Sequence, residues 1–168
     1  VAASSATLLG VGIGTPGIVR PDGVVLSSPN LGWTDFALEA ELGRDLGLPV
    51  IARNDANAAV LAEYTFGGAR SDFILIKIGF GVGAGLISGS QPLLGSRYAA
   101  GEIGHVVVGT DGGPHCVCGR DGCLEAWLSV SRLRDEIAAD PSSRDAVLRD
   151  AGTRMAIAIA PIVAALDL

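Results

Sequence analysis

The chain has 168 residues, 49% of them hydrophobic and 24 of them glycine, with a formal net charge of −6. That length can bury one sizeable core or two partial lobes. The acidic balance argues against a broad nucleic-acid surface within these residues, and no apolar run approaches the roughly 18 residues of a membrane span.

Leu8 to Gly14 reads as a buried strand, mostly apolar and closed by Gly14-Thr15-Pro16-Gly17. Ile18-Val19-Arg20 and Val24-Val25-Leu26 flank Pro21-Asp22-Gly23, whose proline and glycine suit a turn, so a hairpin is predicted. Ser27 to Trp33 reads as loop. Thr34 or Asp35 can cap a helix to about Leu46, with Leu38, Leu42 and Leu46 on one face and Gly47 as its stop. Pro49 to Ala52 is a short buried strand that delivers Asn54-Asp55 to an alanine-rich helix, Ala56 to Phe66, ending at Gly67-Gly68. Phe73 to Ile78 is a strand, and Gly79-Phe80-Gly81-Val82-Gly83-Ala84-Gly85 turns into another, Leu86-Ile87. Glycine at alternate positions there marks a sharp turn or a close backbone approach. Ser88 to Pro92 reads as a hairpin tip and Val106 to Val108 as a further strand. Helices from Leu124 to about Ala138 and from Arg144 to Leu166 complete a mixed α/β pattern. With Val1 at the start and a helix reaching the last residues, the chain is expected to be a piece of a longer protein.

All three cysteines lie between positions 116 and 123, as Cys116-Val117-Cys118-Gly119-Arg120-Asp121-Gly122-Cys123, and His105 stands just upstream. Structural zinc takes four soft or borderline ligands in a tetrahedron, commonly three thiolates and one imidazole. His105, Cys116, Cys118 and Cys123 supply that set, and Gly119 and Gly122 allow the tight turns the thiolates would need. His115 is the second choice for the imidazole, because a residue adjacent to Cys116 could hardly reach the same ion. Cys116 and Cys118 are too close in sequence to pair without strain, and an odd count suits a disulfide framework poorly. Inert buried cysteines are the remaining alternative. Reduced, metal-bound thiols would suit a cytoplasmic protein.

Asp55 sits where a buried strand hands over to a helix, the usual address of ligand-facing residues in α/β folds. It could be a general base toward a substrate hydroxyl, or Asn54 or Asp55 could simply cap the helix. Asn30, Asn54, Asp55, Glu102, His105 and Glu125 all lie beside glycines or at element ends. Acceptor-rich sets of this kind bind polyols, each carboxylate taking two hydroxyl hydrogen bonds.

Gly12-Ile13-Gly14-Thr15-Pro16-Gly17, Pro29-Asn30-Leu31-Gly32-Trp33, Asn54-Asp55-Ala56-Asn57-Ala58-Ala59, Gly101-Glu102-Ile103-Gly104-His105 and the cysteine motif together resemble the ROK family, named for repressors, open reading frames and kinases. The resemblance runs in order from about Gly10 to Leu166. It implies an actin-like (ribonuclease-H-like) fold of two lobes with sugar bound in the cleft between them. Residues 1–55 would be the remainder of the small N-terminal lobe, and residues 56–168 the large lobe with its zinc clip. The resemblance also implies zinc on His105, Cys116, Cys118 and Cys123, and sugar contacts from Asn30, Asn54, Asp55, Glu102, His105 and Glu125. In kinase members the residue matching Asp55 is the catalytic base. Zinc on one ring nitrogen of His105 would leave the other N–H to donate outward, toward a sugar hydroxyl.

Departures from the kinase pattern decide between the family's two activities. No phosphate loop of the Asp-x-Gly-Gly-Thr kind occurs before Val11. Kinases usually show Gly-Thr-Gly at the second phosphate loop, where hydroxyl and backbone N–H groups hold ATP phosphates. Here Phe80 replaces the hydroxyl and Ala84 stands where glycine is usual, so Gly79, Gly81 and Gly83 read as a vestigial phosphate loop or as a tight turn. The preferred reading is the effector-sensing part of a sugar-responsive transcriptional regulator. DNA contact would come from a helix-turn-helix outside this chain. Homo-oligomeric assembly is a further family implication, and no membrane partner is expected. An ATP- and Mg²⁺-dependent sugar kinase using Asp55 is the alternative, and a zinc-stabilised interaction module is a third.

Overall fold

The computed structural model describes residues 8–69, 71–109 and 112–168. The chain forms two compact units, the first ending at Asp55 and the second beginning at Ala56.

The first unit contains β1 (Val11–Thr15), β2 (Ile18–Val19), β3 (Val25–Ser28), β4 (Trp33–Phe36), α1 (Leu38–Leu46) and β5 (Val50–Asn54). β1 and β5 pair in parallel, from Val11 opposite Val50 to Thr15 opposite Asn54. β2, β3 and β4 form an antiparallel sheet, and the turn before β3 closes with the Gly23 N–H on the Arg20 carbonyl at 3.0 Å. Val19, Val25, Leu38 and Ala52 make the buried centre, with Ile13, Trp33, Phe36 and Leu42 packed against it.

Two expectations are corrected here. Ser27 and Ser28 are ladder residues of β3, and Trp33 to Phe36 form a strand in place of a loop and a helix start. The helix begins only at Leu38, after Ala37, without a side-chain cap. Pairing β4 with β3 places Trp33 and Phe36 against the core, their ring centroids 4.8 Å apart. Burying two aromatics outweighs the turn of helix and cap that Thr34 or Asp35 would have supplied. Leu46 is 50% exposed, so the buried stripe of α1 is Leu38 and Leu42 alone.

The second unit takes over within α2 (Asp55–Phe66) and continues through β6 (Phe73–Ile78), β7 (Val82–Ser88) and β8 (Gln91–Pro92), an antiparallel sheet in that order. After an irregular stretch come α3 (Leu124–Leu128), α4 (Val130–Ala139) and α5 (Arg144–Leu166). Val82 and Ala84 of β7 join Ile103, Val108, Leu124, Leu128, Ala151 and Ala158 in one buried cluster. Among the described residues no helix is long and apolar enough to cross a membrane.

β7 starts at Val82, well before the expected Leu86, so Gly83 and Gly85 are strand positions. A Cβ at Gly85 would stand 2.5 Å from both the Ala56 carbonyl oxygen and the Val60 side chain. Glycine at that position lets β7 lie against α2, which a sequence pattern alone renders as a loop. Val106 to Val108 form no strand. Val107 makes one isolated bridge to Cys123, and the expected run fails because its partner is the irregular cysteine segment rather than a sheet. The helix expected over Leu124 to Ala138 is broken at Ser129 (φ −56, ψ 139), where the Val130 N–H turns to the Gly79 carbonyl at 2.9 Å.

A Gly85→Ala substitution is expected to lower stability by about 1–3 kcal/mol through overpacking. Gly79→Ala should change little, because a Cβ there meets nothing within 4 Å. Urea midpoints of the two variants against the parent chain check the contrast.

Candidate functional site

One ligand atom each from His105, Cys116, Cys118 and Cys123 lie within 4.8 Å of one another. The Cys116 sulfur is 3.6 Å from His105 Nδ1, and the Cys118 and Cys123 sulfurs are 3.6 Å apart. In a zinc tetrahedron with metal–sulfur bonds of about 2.3 Å and metal–nitrogen bonds near 2.0 Å, ligand atoms stand roughly 3.5–3.8 Å apart. The donor set therefore fits a four-coordinate ion, and all three cysteines are free thiols. His115 is not among them: its Nδ1 pairs at 2.9 Å with Asp121 on the exposed side of the loop.

The backbone folds the loop so that the sulfurs converge. The Cys116 N–H donates to the Arg120 carbonyl at 2.8 Å, and the Gly119 N–H returns to the Cys116 carbonyl at 2.9 Å. Gly119 (φ 86) and Gly122 (φ 75) both take the left-handed conformation, as the turn reading anticipated. The Val108 N–H to Gly122 and the Leu124 N–H to Val106, at 2.9 and 2.8 Å, bind the two edges of the loop together. The Cys118 thiol is held down to about 6, first by the Arg120 backbone N–H. Burial pushes Cys123 up to about 12 and Cys116 in the same direction.

His105 ends a single 3₁₀ turn, Ile103–His105, and this turn is pressed onto β7. A Cβ on Gly104 would fall 2.0 Å from the Val82 carbonyl oxygen and 3.4 Å from the Glu125 Cβ. Only glycine lets the backbone approach that closely. The Gly101 carbonyl accepts the Ala84 N–H at 2.8 Å, so the turn is fixed to the strand at both ends. Glu125, early in α3, accepts the Val82 N–H on Oε2 at 2.9 Å. Glu102, His105 and Glu125 are all half-buried. The structure thus brings Glu125 and the Glu102–His105 turn together on one short stretch of β7.

In the first unit, Asn54 ends β5 and Asp55 begins α2, both half-buried. Asn54 Nδ2 donates to the Gly17 carbonyl at 2.9 Å. Gly17 also lies against the end of β3, where a Cβ would reach the Ser27 carbonyl at 2.2 Å. Asn30 sits just beyond β3 in the exposed turn Pro29–Leu31. Gly79, Gly81 and Gly83 do not form one loop: Gly79 and Gly81 make the hairpin tip, and Gly83 belongs to β7.

A family model described as the ROK family matches residues 1–167. The chain belongs to the ROK family. It is 42% identical to a glucokinase of Halalkalibacterium halodurans over 77% of this chain and 40% of that protein. It is 41% identical to a xylose repressor of Caldicellulosiruptor bescii over 75% of this chain and 32% of that one. The chain therefore spans well under half the length of these relatives. Among solved structures it resembles a Streptomyces griseus ROK glucokinase in complex with glucose and AMPPNP, at 36% identity and TM-score 0.73, over 83% of this chain and 46% of that one. A ROK-family transcriptional regulator, a homologue of the E. coli MLC protein, matches at 28% identity and TM-score 0.77, over 92% and 46%. Its neighbours share the actin-like α/β fold, and the relatives include both kinases and repressors.

Sequence reasoning missed what braces the clip in this ROK chain. Arg154, on α5, lays its guanidinium 3.4 Å from the centre of the Trp127 ring, pairs with Asp150 at 2.8 Å and donates to the Val108 carbonyl at 3.3 Å. Arg132 reaches the same ring at 4.9 Å. The Trp127 ring in turn lies against Gly113, where a Cβ would stand 2.9 Å from it. Contacts of this kind contribute about 1–2 kcal/mol when partly desolvated. The signal was a tryptophan soon after Cys123, but its arginine partner lies on another helix.

With the Cys118 thiol lowered to about 6 and those of Cys116 and Cys123 raised, the metal-free clip is expected to carry one thiolate and two thiols at neutral pH. Zinc titrated into metal-free protein at pH 7.5 is expected to release about two protons per ion, from Cys116 and Cys123. Below pH 6 the count should rise and affinity should fall, because protons then compete with the metal for its ligands. Calorimetry in two buffers of different ionisation enthalpy counts them. A count near zero would show that these sulfurs do not ligate.

Proposed function

We propose that this chain is the sugar-sensing part of a ROK-family transcriptional regulator, shaped by one structural zinc ion on His105, Cys116, Cys118 and Cys123. In this reading the sugar-contacting residues are Asn30, Asn54, Asp55, Glu102, His105 and Glu125. His105 would bind zinc through Nδ1, the ring nitrogen facing the sulfurs, and present Nε2–H to a sugar hydroxyl. Asp55 then serves as a hydroxyl acceptor rather than as a base. DNA is bound by a segment outside this chain, and the protein acts as a homo-oligomer in the cytoplasm.

The observation that carries the choice is the tip of the β6–β7 hairpin. Phosphoryl transfer needs hydroxyls and backbone N–H groups aimed at ATP phosphates. Phe80 occupies the hydroxyl position and is 96% exposed. The N–H groups of Gly79, Val82 and Ala84 already have acceptors in Gly81, Glu125 and Gly101. Gly85 is committed to the packing of β7 on α2. The missing hydroxyl and these three engaged N–H groups favour the regulator reading over the kinase.

The kinase alternative keeps Asp55 as the base, and a glucokinase relative at 42% identity makes it the competing reading. The intact protein is expected to bind D-xylose, D-glucose or a related sugar and to show no ATP- and Mg²⁺-dependent phosphorylation of it. Glu102→Gln should weaken sugar binding by about 1–3 kcal/mol, the range for a charge-assisted hydrogen bond. Sugar should shift affinity for operator DNA by about 1–3 kcal/mol of coupling. A coupled kinase assay across a sugar panel is the test. Robust turnover abolished by Asp55→Asn would make the chain part of a kinase.

A further inference from the structure

Val82 is the residue on which two separate parts of the second unit hang. Its carbonyl oxygen is covered by Gly104, and its N–H is held by Glu125 Oε2 at 2.9 Å. Glu125 Oε1 takes no partner among the described residues. The carboxylate is therefore divided: one oxygen fixes the start of β7, and the other is open to a ligand.

The hydrogen bond at Val82 is one half of a closed circuit. Three residues earlier, the Gly79 carbonyl accepts the Val130 N–H at 2.9 Å, and Val130 opens α4 just after α3, which carries Glu125. The hairpin tip is thus tied to the α3–α4 corner at two points, with Phe80 between them fully presented to solvent. Ser129, at the break between α3 and α4, has an extended backbone, so the corner is held by these cross-links rather than by a continuous helix.

We propose that Glu125 is a positioning residue that carries sugar occupancy to the tip of the β6–β7 hairpin through the Val82 N–H. The inference rests on the sugar-binding reading and adds its route of transmission. A hydroxyl donating to Oε1 fixes the carboxylate, the fixed carboxylate holds Val82, and the tip with its exposed Phe80 is held in turn. In a regulator this makes the Phe80 turn the surface whose state depends on the ligand. The paired Gly79–Val130 bond means that the first amide of α4 should respond together with that of Val82.

Amide exchange measured by NMR on the intact protein, with D-xylose and D-glucose as probes and calorimetry in parallel, tests the proposal. With a sugar that binds, the Val82 and Val130 amides should exchange about tenfold more slowly, while the Ile87 amide at the far end of β7 keeps its rate. Glu125→Ala should speed Val82 exchange in the absence of sugar. Glu125→Gln keeps an acceptor for the Val82 N–H, so its sugar-free rate should match the parent while the sugar-induced slowing shrinks; this variant decides the matter if the alanine variant does not fold. Heat of binding with unchanged Val82 and Val130 rates would overturn the transmission and leave the sugar reading intact. No heat with any sugar of the panel would overturn the sugar reading, and this inference with it.

Discussion

Four side chains of the second unit meet within 4.8 Å across an irregular stretch of chain, and this convergence positions the groups on either side of it. Between the 3₁₀ turn ending at His105 and the start of α3 at Leu124, no strand or helix orders the described residues. Two sulfurs are buried and their thiols are pushed up by that burial, so the metal-free loop stores groups that water would otherwise solvate. An ion bound there would replace weak sulfur contacts at 3.6 Å with coordinate bonds, and structural zinc contributes on the order of 10 kcal/mol of apparent folding free energy in small domains. In a unit with its own sheet and three further helices the dependence should be smaller, but the loop itself has no other source of order of that size.

The clip does not act alone, because it is anchored to β7. Gly104, next to the ligand His105, covers the Val82 carbonyl, and Glu125, close after the ligand Cys123, takes the Val82 N–H. Both ends of the clip therefore terminate on one strand residue, and the groups proposed to contact sugar lie beside the His/Cys cluster on one side and the sheet on the other. On the outer side, Trp127 carries the load of the loop onto Arg154 of α5. A small displacement of these four side chains would move Glu102 and Glu125 with them, so an ion held there and the proposed sugar site would form one mechanical unit.

The legible parts of the sequence were those whose chemistry is local. Three cysteines and a histidine declare a donor set whatever the fold, and Pro21-Asp22-Gly23 and the span of α5 follow from short-range rules. The illegible parts were settled by distant partners. Gly83 and Gly85 look like loop residues until α2 is seen lying on them, Trp33 to Phe36 become a strand only because β3 is beside them, and the helix breaks after Leu128 where the Val130 N–H goes to the Gly79 carbonyl. The divided carboxylate of Glu125 has no sequence signature, since its partner is a backbone group far along the chain. Similarity to relatives does not separate the family's activities either: a glucokinase and a xylose repressor match at 42% and 41% identity. The two readings part instead at one exposed ring at position 80 and the engaged N–H groups around it.

The most direct measurement of this account compares sugar binding by calorimetry in zinc-loaded protein, in protein stripped by a chelator, and in stripped protein after zinc is restored. If the four-ligand clip sets the positions of Glu102, His105 and Glu125, stripping abolishes the heat of sugar binding and restoring zinc brings it back, while the circular dichroism of the helices changes far less. Stripped protein that binds sugar as tightly as the loaded form would contradict it.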